Sequence, residues 1–252
     1  MSLTHVVEVN KLSVFYEKNQ AIKDISFSAE AGKLIGIIGP NGAGKSTLIK
    51  ALLGLEKATG SVKVFGEQVK NVRKRISYVP QRNLIDWDFP VLVEDVVMMG
   101  RFAHIPWYKR PSKNDCKIVL EALEKVGMSD YRKQQIGSLS GGQQQRVFIA
   151  RALAQQADLF FLDEPFVGID VTSETIIIEL LRELRNENKT VFVVHHDLSK
   201  VEQYFDELLL INKQLVQFGA VEDVYKPEVL AKTYQGKMTL FGSKDEVVAV
   251  SS

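Results

Sequence analysis

Gly39-Pro40-Asn41-Gly42-Ala43-Gly44-Lys45-Ser46, followed by Thr47, fits the pattern G-x-x-x-x-G-K-[ST] of a phosphate-binding loop. Glycines at these positions let backbone N–H groups turn inward around phosphate oxygens, where a Cβ would stand in the way. Lys45 brings a mobile positive charge for β- and γ-phosphates, and Ser46 offers its hydroxyl to Mg²⁺. The residues before it, Leu34-Ile35-Gly36-Ile37-Ile38-Gly39, are short and wholly apolar, as in a strand buried on both faces. A helix is expected from about Lys45, its N-terminus aimed at the bound anion. With that strand before it and that helix after it, the stretch reads as a nucleotide site and not as an ordinary glycine-rich turn.

A second apolar strand, Leu159-Phe160-Phe161-Leu162, runs into Asp163-Glu164-Pro165. An acid at the C-terminal end of such a strand is expected beside the phosphate loop. Asp163 is then the acid that organises Mg²⁺ through water, and Glu164 the base that polarises the attacking water. Two adjacent acids also suit a helix N-terminus; in company with the phosphate loop, the metal-and-base reading is preferred.

Further outward, Val6–Val9, Leu12–Tyr16, Ile25–Phe27, Ser61–Gly66 and Ile76–Val79 read as strands, and so does Thr190–Val194. Helical spacing marks Val93–Met99, Cys116–Leu123, a run from Gly142 to about Gln155, and Ser173–Asn186. Strand, helix, strand at these intervals predicts an α/β fold with a parallel sheet. An antiparallel β layer is expected near the N-terminus. The expected organisation is one domain over residues 1–235, its α/β core at 1–90 and 141–235 and a helical insertion at 91–140, followed by a polar tail at 236–252.

Composition sets outer bounds. At 252 residues, with 45% hydrophobic and 25% charged residues, the chain matches a globule burying roughly 70% of its extended surface. Its 32 basic and 31 acidic residues leave a formal charge of +1, which argues against a nucleic-acid binder. Cys116 is the single cysteine, so no internal disulfide framework exists and a reducing compartment is expected. No apolar run approaches ~18 residues, and the first ten residues do not read as a signal peptide.

Leu139-Ser140-Gly141-Gly142-Gln143 resembles the signature motif of the ATP-binding subunits of ABC transporters. Further matches follow in that family's order, over about residues 5–235. The resemblance implies a P-loop, RecA-like ATPase core with an N-terminal antiparallel β layer and an inserted helical subdomain, using ATP and Mg²⁺. It assigns Tyr16 to adenine stacking, Gln81 to a position between Mg²⁺, water and the membrane partner, and Gly168-Ile169-Asp170 to the D-loop. Asn41, Thr47 and Gln143 join the nucleotide-binding set. Side chains alternate on leaving a strand, so only one of His195 and His196 can reach the γ-phosphate. The family's histidine-aspartate order selects His196, before Asp197, and leaves His195 structural.

The same resemblance implies two copies of the chain, head to tail, each γ-phosphate held by Lys45 and His196 of one copy and Ser140 of the other. It implies a membrane permease, and hence a place on the cytoplasmic face of the membrane. Trp87, Phe89, Phe102, Trp107 and Tyr108 crowd between Arg82 and Arg110, which suits either a well-filled helical subdomain core or a groove for a partner helix; the resemblance, in which this area receives a permease helix, implies the groove. Ile85–Pro90, Val93–Arg101 and Val193–Leu198 are similar to the manganese/zinc/iron-chelate importer branch. His5, His104, the adjacent pair and Cys116 give no tetrahedral ligand spacing. Recognition of the metal is therefore assigned to the permease and an extracellular metal-binding protein, with manganese favoured over zinc. An exporter ATPase, or a non-transport ABC ATPase, is the alternative.

Overall fold

The computed structural model describes residues 5–87, 89–234, 239–241 and 248–250, and the chain divides into two compact units, residues 1–72 with 190–252 and residues 73–189. The first unit opens with β1 (His5–Tyr16), β2 (Asn19–Glu30), β3 (Leu34–Ile38), α1 (Lys45–Leu52), β4 (Ala58–Val64), β5 (Glu67–Gln68) and α2 (Val69–Val72). β1 pairs antiparallel with β2 on one side and β4 on the other, which is the β layer expected near the N-terminus. The segments read separately as Val6–Val9 and Leu12–Tyr16 are one strand. It bulges at Lys11, where φ is 49° and the register slips between Val9 and Leu12. Ser26 Oγ accepts from Lys11 N at 2.8 Å, which satisfies the donor that the bulge takes out of the ladder.

The second unit contributes β6 (Ile76–Val79), α3 (Val93–Met99), α4 (Lys113–Lys125), α5 (Gly141–Ala154), β7 (Leu159–Leu162) and α6 (Val171–Asn186). β6 and β7 are parallel, with Val79 opposite Leu162. α4 starts three residues before the periodic run because Ser112 caps it. Ser112 Oγ accepts from Asp115 N at 3.2 Å, and Ser112 N donates back to the Asp115 carboxylate at 2.9 Å. α6 likewise starts at Val171 under an Asp170 cap.

The chain then returns to the first unit with β8 (Thr190–Val194), α7 (Val201–Tyr204), β9 (Glu207–Asn212), β10 (Gln214–Ala220), α8 (Val221–Val224) and α9 (Pro227–Thr233). β3 lies between β8 and β9 and parallel to both, with Ile37 opposite Val194 and Leu209. All five β3 residues and all five β8 residues are buried, which accounts for their unbroken apolar character. Of the stretch read as a polar tail, Thr239–Phe241 (β11) and Val248–Val250 (β12) pair antiparallel. Gly242 to Glu246 lie outside the described residues. No helix among the described residues is long and apolar enough to cross a membrane.

Within the second unit, Arg101 is 6% and Asp115 8% exposed. Arg101 Nε donates to Asp115 Oδ1 at 3.0 Å, and Nη1 donates to Ala154 O at 2.8 Å and Gln156 Oε1 at 3.0 Å. Hydrogen bonds from Ser112, then Arg101, hold the Asp115 carboxyl down at about 2. Breaking a buried pair from one side leaves its partner uncompensated, at about 3–5 kcal/mol. Arg101→Met should therefore lower the urea unfolding free energy by about 3 kcal/mol at neutral pH; an unchanged midpoint would refute the clasp. Because the folded pKa is depressed, the stability due to Asp115 is present above about 3.8 and lost as pH falls toward about 2. Arg101→Met should flatten part of that acid slope, with the Ser112 contribution remaining.

Candidate active site

In the first unit the phosphate loop joins β3 to α1. Gly44, the residue before α1, has φ 94°, a left-handed conformation in which glycine carries no Cβ penalty. From it the helix opens at once, with Leu48 N donating to Gly44 O at 2.8 Å. No side chain caps this N-terminus and no acid lies in its first turn. Its dipole and amides therefore favour an anion. Lys45 is buried, and its ammonium donates to Gly39 O at 2.7 Å and Pro40 O at 3.1 Å, so the charge is held over the loop's entrance. Ser46 and Thr47 are half-buried, and Asn41 and Gly42 are exposed at the loop's tip.

Tyr16, at the end of β1 and 41% exposed, lies beside Thr47 and Glu56. Burial holds its phenol above the ordinary value; a hydrogen bond with Thr47 opposes this, and the Glu56 carboxylate adds to it more weakly. The two histidines separate as side alternation requires. His195 is 2% exposed and packs against Phe205 at 5.7 Å and Tyr204 at 6.0 Å between ring centroids, whereas His196 is exposed just beyond β8.

In the second unit Asp163 follows β7 and is 1% exposed, and its N donates to Val79 O at 2.9 Å. Glu164, half-buried, sits at φ 52°, a costly backbone conformation for a residue with a side chain. Its Oε2 accepts from Gln81 Nε2 at 2.6 Å. Two residues 83 positions apart in sequence thus meet. That contact engages the Gln81 amide nitrogen and not its Oε1 oxygen. Burial first, and then the Asp163 charge, push the Tyr78 phenol up to about 12. Tyr78 therefore stays neutral next to the acid.

Ser140 caps α5. Its Oγ accepts from Gln143 N at 3.3 Å, and Gln143 Oε1 accepts from Ser140 N at 2.9 Å, so the Gln143 carbonyl oxygen is engaged within its own chain. Asp170 caps α6 through Ser173 N and Ser173 Oγ, both at 2.8 Å, and these bonds hold its carboxyl below the ordinary range. A Cβ on Gly142 would come within 2.3 Å of Ser173 Oγ and 2.6 Å of Asp170 Oδ2. Its bareness lets the start of α5 and the Asp170 cap of α6 come together within one chain. Also unforeseen is Arg82, which donates to Gln144 Oε1 at 2.8 Å and 3.3 Å and lies 5.5 Å from the Trp87 ring centroid.

The aromatic cluster is divided. Ile85, Trp87, Phe89, Met99, Phe148 and Arg151 line a groove of about 210 Å³. Trp87 is part of its packing, edge-on to Phe148 at 5.1 Å and donating to Arg82 O at 3.1 Å. Trp107 and Tyr108 are not among the lining residues; they stand exposed with each other. For Mg²⁺, the assigned groups Ser46, Gln81 and Asp163 offer a hydroxyl, an amide oxygen and a carboxylate. All are hard oxygen donors of the kind Mg²⁺ takes, so the donor set fits.

Residues 22–167 match the family described as ABC transporter. The chain is 70% identical over 246 residues to the manganese transport system ATP-binding protein MntB of Halalkalibacterium halodurans, covering 98% of each. It is 46% identical over 248 residues to the zinc transport system ATP-binding protein TroB of Treponema pallidum, covering 96% of this chain and 93% of the other. Among solved structures, an inward-facing metal-chelate type ABC transporter superposes with a TM-score of 0.83 at 28% identity, covering 98% of each chain.

The contact of Gly142 with Asp170 and Ser173 generates an expectation. Gly142→Ala must push α5 from α6, and should lower Tm by several degrees and ATP hydrolysis at least tenfold. Parent-like values in calorimetry and phosphate release would show that the close approach does not matter.

Proposed function

The chain belongs to the ABC transporter family, and from that premise we propose that it is the ATP-hydrolysing subunit of a metal-ion importer, with manganese the favoured cargo and zinc next. The observation that carries the hydrolytic reading is the Gln81–Glu164 hydrogen bond of 2.6 Å directly after the buried Asp163. Similarity along nearly the whole chain to a manganese-transport subunit supports the cargo.

In this reading the phosphates of ATP lie on Lys45 and the first turn of α1, and adenine lies on the Tyr16 ring. Glu164 accepts a hydrogen bond from water and draws its proton as the water oxygen bonds to the γ-phosphorus and the bond to the β–γ bridging oxygen breaks. Gln81 orients the carboxylate by the bond it already makes, and His196 contacts the γ-phosphate. Ser46, Gln81 and, through water, Asp163 would hold Mg²⁺, which would neutralise charge on the phosphates.

One phosphate loop and one signature per chain fit a head-to-tail pair in which Ser140 of each copy closes on the nucleotide of the other. Permease subunits occupy the groove lined by Trp87, Phe89 and Met99, and keep the chain at the cytoplasmic face of the membrane. Arg151 supports a link from groove to chemistry: its guanidinium lies 4.6 Å from the Phe148 ring and donates to Tyr78 O at 3.1 Å, three residues before Gln81. An extracellular metal-binding protein hands cargo to the permease. ATP drives the cycle by its higher affinity for the closed than for the open pair.

Two measurements test this. Glu164→Gln should elute as a dimer with ATP and Mg²⁺ on a sizing column and as a monomer without them; a monomer under both conditions rules out the head-to-tail model. Cells lacking the protein should lose manganese selectively in elemental analysis and regain it with the parent protein but not with Glu164→Gln. Selective loss of zinc would reassign the cargo, and unchanged metal content would remove the importer reading.

A further inference from the structure

Between α3 and α4 the chain presents a second surface, separate from the groove and from every residue assigned to nucleotide chemistry. Trp107 is 96%, Tyr108 69% and Phe102 59% exposed. The two neighbouring rings lean on each other at 5.8 Å, nearly perpendicular, and Lys109 Nζ lies 5.9 Å from the Tyr108 ring. From Phe102 to Asn114 the sequence holds Lys109, Arg110 and Lys113 and no acid, a local excess of three positive charges in a chain of net charge +1.

The root of this loop is built to hold it. Arg101 and Asp115 clasp its two ends by their buried ion pair, and His104 Nε2 is 2.9 Å from Gln155 O. Residues 106–114 beyond it are all exposed. Exposed tryptophan would ordinarily be covered by packing or replaced by a polar residue. Here it is instead held out beside cations. Trp and Tyr with flanking Lys and Arg is the chemistry of a bilayer interface, where amphipathic rings lie at headgroup level and cations meet anionic phosphates.

We infer that residues 102–113 are a membrane contact: Trp107 and Tyr108 enter the headgroup layer of an anionic bilayer while Lys109, Arg110 and Lys113 rest on its phosphates. The placement agrees with the proposed function in one respect that rests on it. Met99 lines the groove and Phe102 is three residues on, so a permease seated there brings the loop near the bilayer. The contact itself is independent of transport.

The full-length protein, without nucleotide or permease, is mixed with phosphatidylcholine vesicles with and without phosphatidylglycerol, and with the same vesicles carrying brominated chains. Binding is expected only with phosphatidylglycerol, falling with added salt, together with quenching of tryptophan fluorescence by the bromines. Trp107→Phe should abolish the quenching. The double variant Lys109→Gln, Arg110→Gln should lower vesicle partition roughly 25-fold, about fivefold for each cation removed. These side chains are exposed, so Tm and ATP hydrolysis in detergent should match the parent. No binding by the parent, binding independent of phosphatidylglycerol, or equal binding by the double variant overturns the inference and leaves the ATPase reading standing. If the parent ignores vesicles and the double variant fails to co-purify with its permease, the loop is a protein contact and the membrane assignment falls.

Discussion

Six residues, 39 to 44, separate the end of β3 from the start of α1, and in that span a strand buried on both faces must become a helix. A longer connection would have let the helix take any angle; this one fixes it. The left-handed backbone at Gly44 makes the turn possible, and the Lys45 ammonium bonded to Gly39 and Pro40 closes it. Lys213 N to Ala43 O at 2.8 Å, with Lys23 N to Lys213 O at 2.7 Å, pins the loop from outside. A loop held from both sides in this way has little freedom left to lose when a phosphate chain binds.

The second unit solves a different problem, that of holding a carboxylate where chemistry needs it. Glu164 adopts φ 52° between a buried aspartate and Pro165. A left-handed conformation at such a residue costs of order 1–2 kcal/mol, and it survives because its neighbours leave no alternative. Asp163 is fixed to the backbone of Val79, proline limits the next torsion, and Gln81 grips the side chain. Glu164 is one of eight non-glycine residues with positive φ among the described residues, and of those the one that the family resemblance singles out.

Much of this was legible in the sequence. The apolar runs at 34–38, 159–162 and 191–194 are strands with every residue buried, because burial on both faces favours apolar side chains. Side alternation puts His195 and His196 in different surroundings, but which of them is the buried one is selected only by the family's histidine-aspartate order. The bulge at Lys11 was not legible, since the signal is a backbone torsion that a lysine does not advertise. Nor was the division of the aromatics. Trp87 and Trp107 look equivalent in sequence, and only the course of the chain between Met99 and Lys113 sends one against Phe148 and the other into the open. Arg82 was passed over because its partner, Gln144, lies 62 residues away.

The contact of Gly142 with Asp170 and Ser173 has a mechanical meaning. Two helix caps, Ser140 on α5 and Asp170 on α6, are brought close because Gly142, at the start of α5, has no side chain. Asp170 lies only six residues beyond Glu164, so a movement of the acid is felt early at the Gly142 contact. Under the head-to-tail pairing proposed above, that contact would tie the acid of one site to the serine offered to the other, and the pair would work as one device with two chambers.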